Sequence, residues 1–108
     1  MNSSTYYSKI KKIADTYGYD AQSRQCIKEM AELAQAINKF WRKDLKRGQL
    51  TTLGVPIGSP QELSIIEEIA DVQIMLWQMA YLLNADVTPI IEQKLDRQLE
   101  RIEKCTNS

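Results

Sequence analysis

Histidine is absent from this chain of 108 residues, and that absence removes a large block of chemistry. No imidazole is available to ligate a metal, to relay a proton to a serine or cysteine nucleophile, or to build a histidine-centred phosphohydrolase site. Hydrolysis, if the chain performs it, must run on carboxylates, lysine, tyrosine or a metal. Cysteine is scarce: Cys26 and Cys105 stand far apart without CxxC spacing, which excludes a zinc knuckle or a redox pair and leaves reduced cytosolic thiols as the expectation. Charge of one sign is lacking too, because Lys plus Arg and Asp plus Glu both number 14. Such a balance offers no polyanion-binding surface, so no nucleic-acid partner is expected. There is no long uninterrupted hydrophobic run. The most apolar stretch, 63–83, is broken by Glu67, Glu68 and Asp71, which argues for a helix buried in protein and against a membrane span. Residues 1–7 are polar and do not read as a signal peptide, so a cytoplasmic protein is expected.

What is present is helical periodicity in every long segment, with no alternation of the strand type. Four helices are expected in one domain, 1–108. The first spans about 4–17 with Tyr6, Ile10, Ile13 and Tyr17 on one stripe, ending at Gly18, where a left-handed terminator fits. The second runs from Asp20 to about Leu45, with an apolar stripe of Ile27, Met30, Ala34, Ile37 and Trp41 that Leu33 and Phe40 widen. Gly54, Pro56, Gly58 and Pro60 mark the one long loop, 48–60, read as a crossover. The third, about 61–84, is apolar almost all round from Ile69 and is expected at the centre of a bundle. The fourth runs from Pro89 to about Lys104, with Ile91, Leu95, Leu99 and Ile102 as its buried stripe and Lys94, Arg97 and Arg101 as a basic line beside it. The fold class is therefore all-α, a four-helix bundle-like domain. So apolar a third helix in so short a chain calls for covering by a partner subunit, in a homodimer or homotetramer.

The chemistry lies in two carboxylate pairs. Glu29 and Glu32 are three residues apart on the second helix, and Glu68 and Asp71 are three apart on the third, so each pair shares a helix face. At about 100° per residue, Glu68 points in the same direction as Val72, Met75 and Met79, a line that is otherwise apolar. No lysine or arginine follows Glu68 or Asp71 at i+4. Any one of these acids alone reads as solvated surface. Together they do not, because four carboxylates brought to one apolar interior repel one another, and a hard cation relieves both the repulsion and the desolvation. Oxygen ligands in this number suit magnesium, which keeps waters and shares its remaining positions with phosphates.

The segment KEMAEL at 28–33 followed by EEIADV at 67–72 resembles the ExxE and ExxD helices of the MazG-like nucleoside triphosphate pyrophosphohydrolases. The likeness extends to YGYDAQSRQCIKEMAEL at 17–33, EEIADVQIMLWQMAYLL at 67–83 and KLDRQLERI at 94–102. It implies that Glu29, Glu32, Glu68 and Asp71 are catalytic magnesium ligands, with manganese as a substitute, and that Lys94 and Arg97 face a triphosphate. The implied reaction is hydrolysis of a nucleoside or deoxynucleoside triphosphate to the monophosphate and pyrophosphate. Two departures stand out: Lys28 occupies a position where the family often carries a second glutamate, and the 48–60 loop is longer than in compact members. For the base, Gln25, one turn before Glu29, offers an amide, and Trp41, Tyr6 or Tyr7 offer a stacking face. The alternative reading is a non-catalytic helical dimer that binds a nucleotide or a protein partner.

Overall fold

The computed structural model describes residues 3–43 and 59–107 of the chain, and these are almost wholly helical. Three helical runs follow one another: α1 (Ser3–Phe40), α2 (Pro60–Leu82) and α3 (Thr88–Asn107). The 48–60 loop lies outside the described residues except for Ser59 and Pro60, as does the end of the second helix expected near Leu45. None of the described helices is long and apolar enough to cross a membrane.

The expected first and second helices are fused into α1 but bent where the sequence places a break. Gly18 has φ 82° and ψ 170° inside an otherwise helical run, a backbone region open essentially only to glycine. Asp20, just past the bend, pairs with Arg24 at 3.3 Å on the surface. The start of α2 is set by a local device: the Ser59 hydroxyl accepts a hydrogen bond from the Glu62 backbone N–H at 3.0 Å, and Pro60 occupies the first turn, where its missing N–H is harmless. Pro60 therefore opens the helix. At the far end Asn84 adopts φ 52°, and the Asp86 carboxylate accepts from the Thr88 N–H at 3.0 Å to start α3.

The principal packing is between α1 and α2. The arm of α1 after Gly18 runs antiparallel to α2 and contributes Gln22, Cys26, Glu29, Leu33, Ala36 and Phe40, all buried or half-buried. From α2 come Ile65, Glu68, Val72, Met75, Met79 and Leu82, likewise buried or half-buried. Alternating steps of three and four give both lines the heptad spacing of a helix-pair seam. Within it the Gln22 side-chain amide donates to the Gln78 carbonyl at 2.7 Å, and Gln78 is only 1% exposed. The arm before Gly18 meets α2 through Ile10 and Ala14, both buried, through Tyr6 stacked on Trp77 with ring centroids 6.4 Å apart, and through Tyr81, whose hydroxyl donates to the Asp15 carboxylate at 2.8 Å. That hydrogen bond, followed by burial and the Asp15 charge, raises the Tyr81 pKa above its ordinary value.

The expected burial of three stripes is not met within one chain. Tyr6, Ile13 and Tyr17 are exposed, and so are Ile27, Met30, Ile37 and Trp41. The stripe on α3 is likewise exposed: Ile91 by 49%, Leu95 by 53%, Leu99 by 61% and Ile102 by 62%. The physical reason is that two helices in contact cover one face each, and α3 does not pack on the hairpin to a comparable extent. The chain is accordingly extended, with a radius of gyration of 17.5 Å against about 13 Å for a compact domain of this length. The all-helical class stands, while the described residues form three helical runs of which α1 and α2 make the principal packing. No disulfide joins Cys26, buried in the seam, to Cys105 on α3.

Candidate metal centre

Glu29 occupies a seam position on α1 in register with Gln22, one heptad earlier, and Glu68 occupies one on α2 below Val72 and Met75. The antiparallel pairing that sets Gln22 against Gln78 also brings Glu29 to Glu68 and Asp71. One carboxylate oxygen from each of these three lies within 4.8 Å of the others. Glu29 and Glu68 are half-buried and Asp71 is exposed, so the group sits at the mouth of the seam with one side open. Three of the four carboxylates expected from the sequence thus converge. Glu32, half-buried, lies one turn further along α1 and shares with Glu68 a small recess of about 220 Å³, completed by Gln35, Ala36, Lys39 and Ser64.

Two oxygens in this cluster, Glu29 Oε2 and Glu68 Oε2, are buried and accept no hydrogen bond from any described residue. The other Glu29 oxygen, Oε1, accepts from the Gln25 amide at 2.8 Å. Gln25, expected to meet a base, here holds the Glu29 carboxylate in orientation. The Glu68 carboxyl is pushed above its ordinary pKa, first by burial and then by repulsion from Glu32, Asp71, Glu29 and Glu67. A buried carboxylate oxygen without a donor is costly. Two of them facing a third carboxylate make the site suited to a cation. The donor set is all oxygen, which favours a hard ion such as magnesium or manganese over zinc or copper. Magnesium at 2.0–2.1 Å from its ligands places those ligands roughly 3 to 4 Å apart, a span that the 4.8 Å cluster reaches with a small side-chain adjustment.

The remaining expected site residues lie elsewhere. Lys94 and Arg97 are exposed on α3 and form no ion pair among the described residues, and Trp41 is exposed just past the end of α1. Lys39, Gln35 and Ser64 beside the carboxylates were not singled out in the sequence. The i+3 and i+7 steps from Glu32 to Gln35 and Lys39 are the signal that marks two of them. No protein-family model, curated protein or solved structure matches this chain.

Proposed function

We propose that the chain is a magnesium-dependent nucleoside triphosphate pyrophosphohydrolase of the MazG-like kind. The observation that carries this reading is the pair of buried, unpartnered oxygens on Glu29 and Glu68, set against Asp71 on a facing pair of helices. Glu29, Glu68 and Asp71 are the residues that would hold the ion, and Gln25 fixes the Glu29 carboxylate for that role. When bound, magnesium supplies charge neutralisation for a triphosphate and Lewis-acid polarisation of its phosphoryl oxygens. Glu32, next to Glu68 but outside the three-carboxylate group, is the side chain left to take the proton of an attacking water. The water oxygen adds to the α-phosphorus and the α–β anhydride bond breaks, giving nucleoside monophosphate and pyrophosphate. Lys39, lining the same recess as Glu32 and Glu68, supplies a positive charge beside them. The assignment of Lys94 and Arg97 as phosphate contacts rests on the family resemblance, and a base-stacking role for Trp41 on its aromatic face.

The test is a panel of ribo- and deoxynucleoside triphosphates with magnesium or manganese, with monophosphate and pyrophosphate both quantified. Glu68→Gln and Asp71→Asn are expected to abolish turnover without loss of helicity. Release of inorganic phosphate in place of pyrophosphate would overturn the reaction assignment. Nucleotide binding with no turnover under any metal would favour the non-catalytic alternative.

A further inference from the structure

The two oxygens of Glu29 are not equivalent. Gln25, one turn earlier on α1 and half-buried like Glu29 itself, donates its side-chain amide to Glu29 Oε1 at 2.8 Å. The other oxygen, Oε2, is buried and accepts no hydrogen bond from any described residue. One carboxylate oxygen from each of Glu29, Glu68 and Asp71 lies within 4.8 Å of the others. We propose that Gln25 is a positioning residue that restricts Glu29 to ligation through Oε2 alone, and that this restriction sets a preference for magnesium over calcium. The inference rests on the magnesium reading above and adds to it the residue that selects the ion.

The i to i+4 spacing brings the amide to the carboxylate within one helix, without help from another element. A glutamine donor is neutral, so it orients Glu29 and leaves the full negative charge for a cation. A lysine or arginine at this position would form an ion pair with Glu29 and compete with the metal. The two ions then make different demands. Magnesium keeps a small octahedral shell, retains waters and takes few protein oxygens, whereas calcium gathers about 6–8 oxygens at longer range and readily uses both oxygens of one carboxylate. Three carboxylates held to one oxygen each suit the first ion and underfill the second. Without the amide, Glu29 is free to turn and present both oxygens, which favours calcium. Partners that orient a metal ligand in this way are worth roughly 10–100-fold in affinity, a change large enough to reverse a selectivity.

Thermal melting of the full chain against rising Mg2+ or Ca2+, each metal alone, tests the proposal, because the dependence of Tm on cation concentration gives each Kd. The wild type is expected to bind magnesium more tightly than calcium. Gln25→Met keeps the length and helix propensity of the side chain and removes the donor. Its magnesium affinity should fall roughly 10–100-fold while its calcium affinity holds or rises, so the ratio of the two falls by about tenfold or more. Gln25→Lys retains a donor but places a charge beside the ligands, and both affinities should fall together with the ratio near that of the wild type. A purely structural role for Gln25 would shift the metal-free Tm and leave the ratio where it was. A ratio unchanged in Gln25→Met, whether both affinities hold or fall in step, would overturn the proposal and leave the metal site standing. A wild type that prefers calcium would do the same. A wild type whose Tm responds to neither cation would overturn the metal site and the proposal with it.

Discussion

Replacing Gln78 by leucine removes one half of the polar pair inside the seam and leaves the other in place. Gln78 is 1% exposed and accepts the Gln22 amide at 2.7 Å, so Gln78→Leu strands a buried amide donor. The loss of a partner to a buried polar group costs about 1–3 kcal/mol. Gln22→Leu strands the Gln78 carbonyl and costs a similar amount. The double variant removes both polar groups and replaces them with apolar surface of similar size, a change that is close to neutral. The two single costs are therefore strongly non-additive, the double variant lying about 2–6 kcal/mol above the stability that the sum of the singles would give. For a chain of this size 1 kcal/mol corresponds to roughly 4 °C in Tm, so each single variant should melt about 4–12 °C lower and the double near the wild type. Thermal and urea unfolding followed by circular dichroism, at one fixed protein concentration, measures this. Single variants within about 0.5 kcal/mol of wild type, or a double variant equal to the sum of the singles, would refute the assignment of the pair as a coupled buried hydrogen bond. The pair also sits one heptad from Glu29 on α1 and one heptad from Asp71 on α2. With it gone the seam loses its only buried polar check on register among the described residues, and magnesium should stabilise the double variant less than the wild type.

The raised Glu68 pKa gives a pH prediction with a definite sign. Because burial and the neighbouring carboxylates lift its folded pKa above the ordinary carboxylate value, the charged form is the one that opposes folding. The contribution of this group is thus most favourable below the ordinary carboxylate pKa and is lost as pH rises through the raised folded value. Glu68→Gln should therefore raise metal-free stability at neutral pH, flatten its pH dependence, and eliminate the stabilisation by magnesium expected of the wild type. A Glu68→Gln variant that is less stable at neutral pH, yet still stabilised by magnesium, would contradict the site. Gly18→Ala should cost about 1–3 kcal/mol; a Cβ there meets nothing within 4 Å, so the whole loss is backbone strain. Urea unfolding showing no change would mean that the bend at φ 82° is not held in solution.

Much of the fold follows from local chemistry and is readable without coordinates. The helical class follows from periodicity, the break at Gly18 from its freedom at positive φ, and the start of α3 from Pro89. The inward direction of Glu68 was readable because its neighbours one and two turns on, Val72 and Met75, are apolar, and both are buried. Glu29 was harder to place. Its line on α1 contains Gln22 and Glu29, and hydropathy ranks that line below Ile27, Met30, Ile37 and Trp41.

The sequence by itself determined where the chain is helical, where it bends, and that two acidic pairs each occupy one helix face, since these depend on contacts within a few residues. Only the tertiary structure decided which of two heptad lines on α1 became the seam. Pairing with α2 selected the line through Gln22, Cys26, Glu29, Leu33, Ala36 and Phe40, which carries one half of the buried amide pair. The greasier line stayed outside. A helix face is a local property, but the choice between faces depends on the surface it meets, and that surface is contributed by residues about 40 to 60 positions away in the chain.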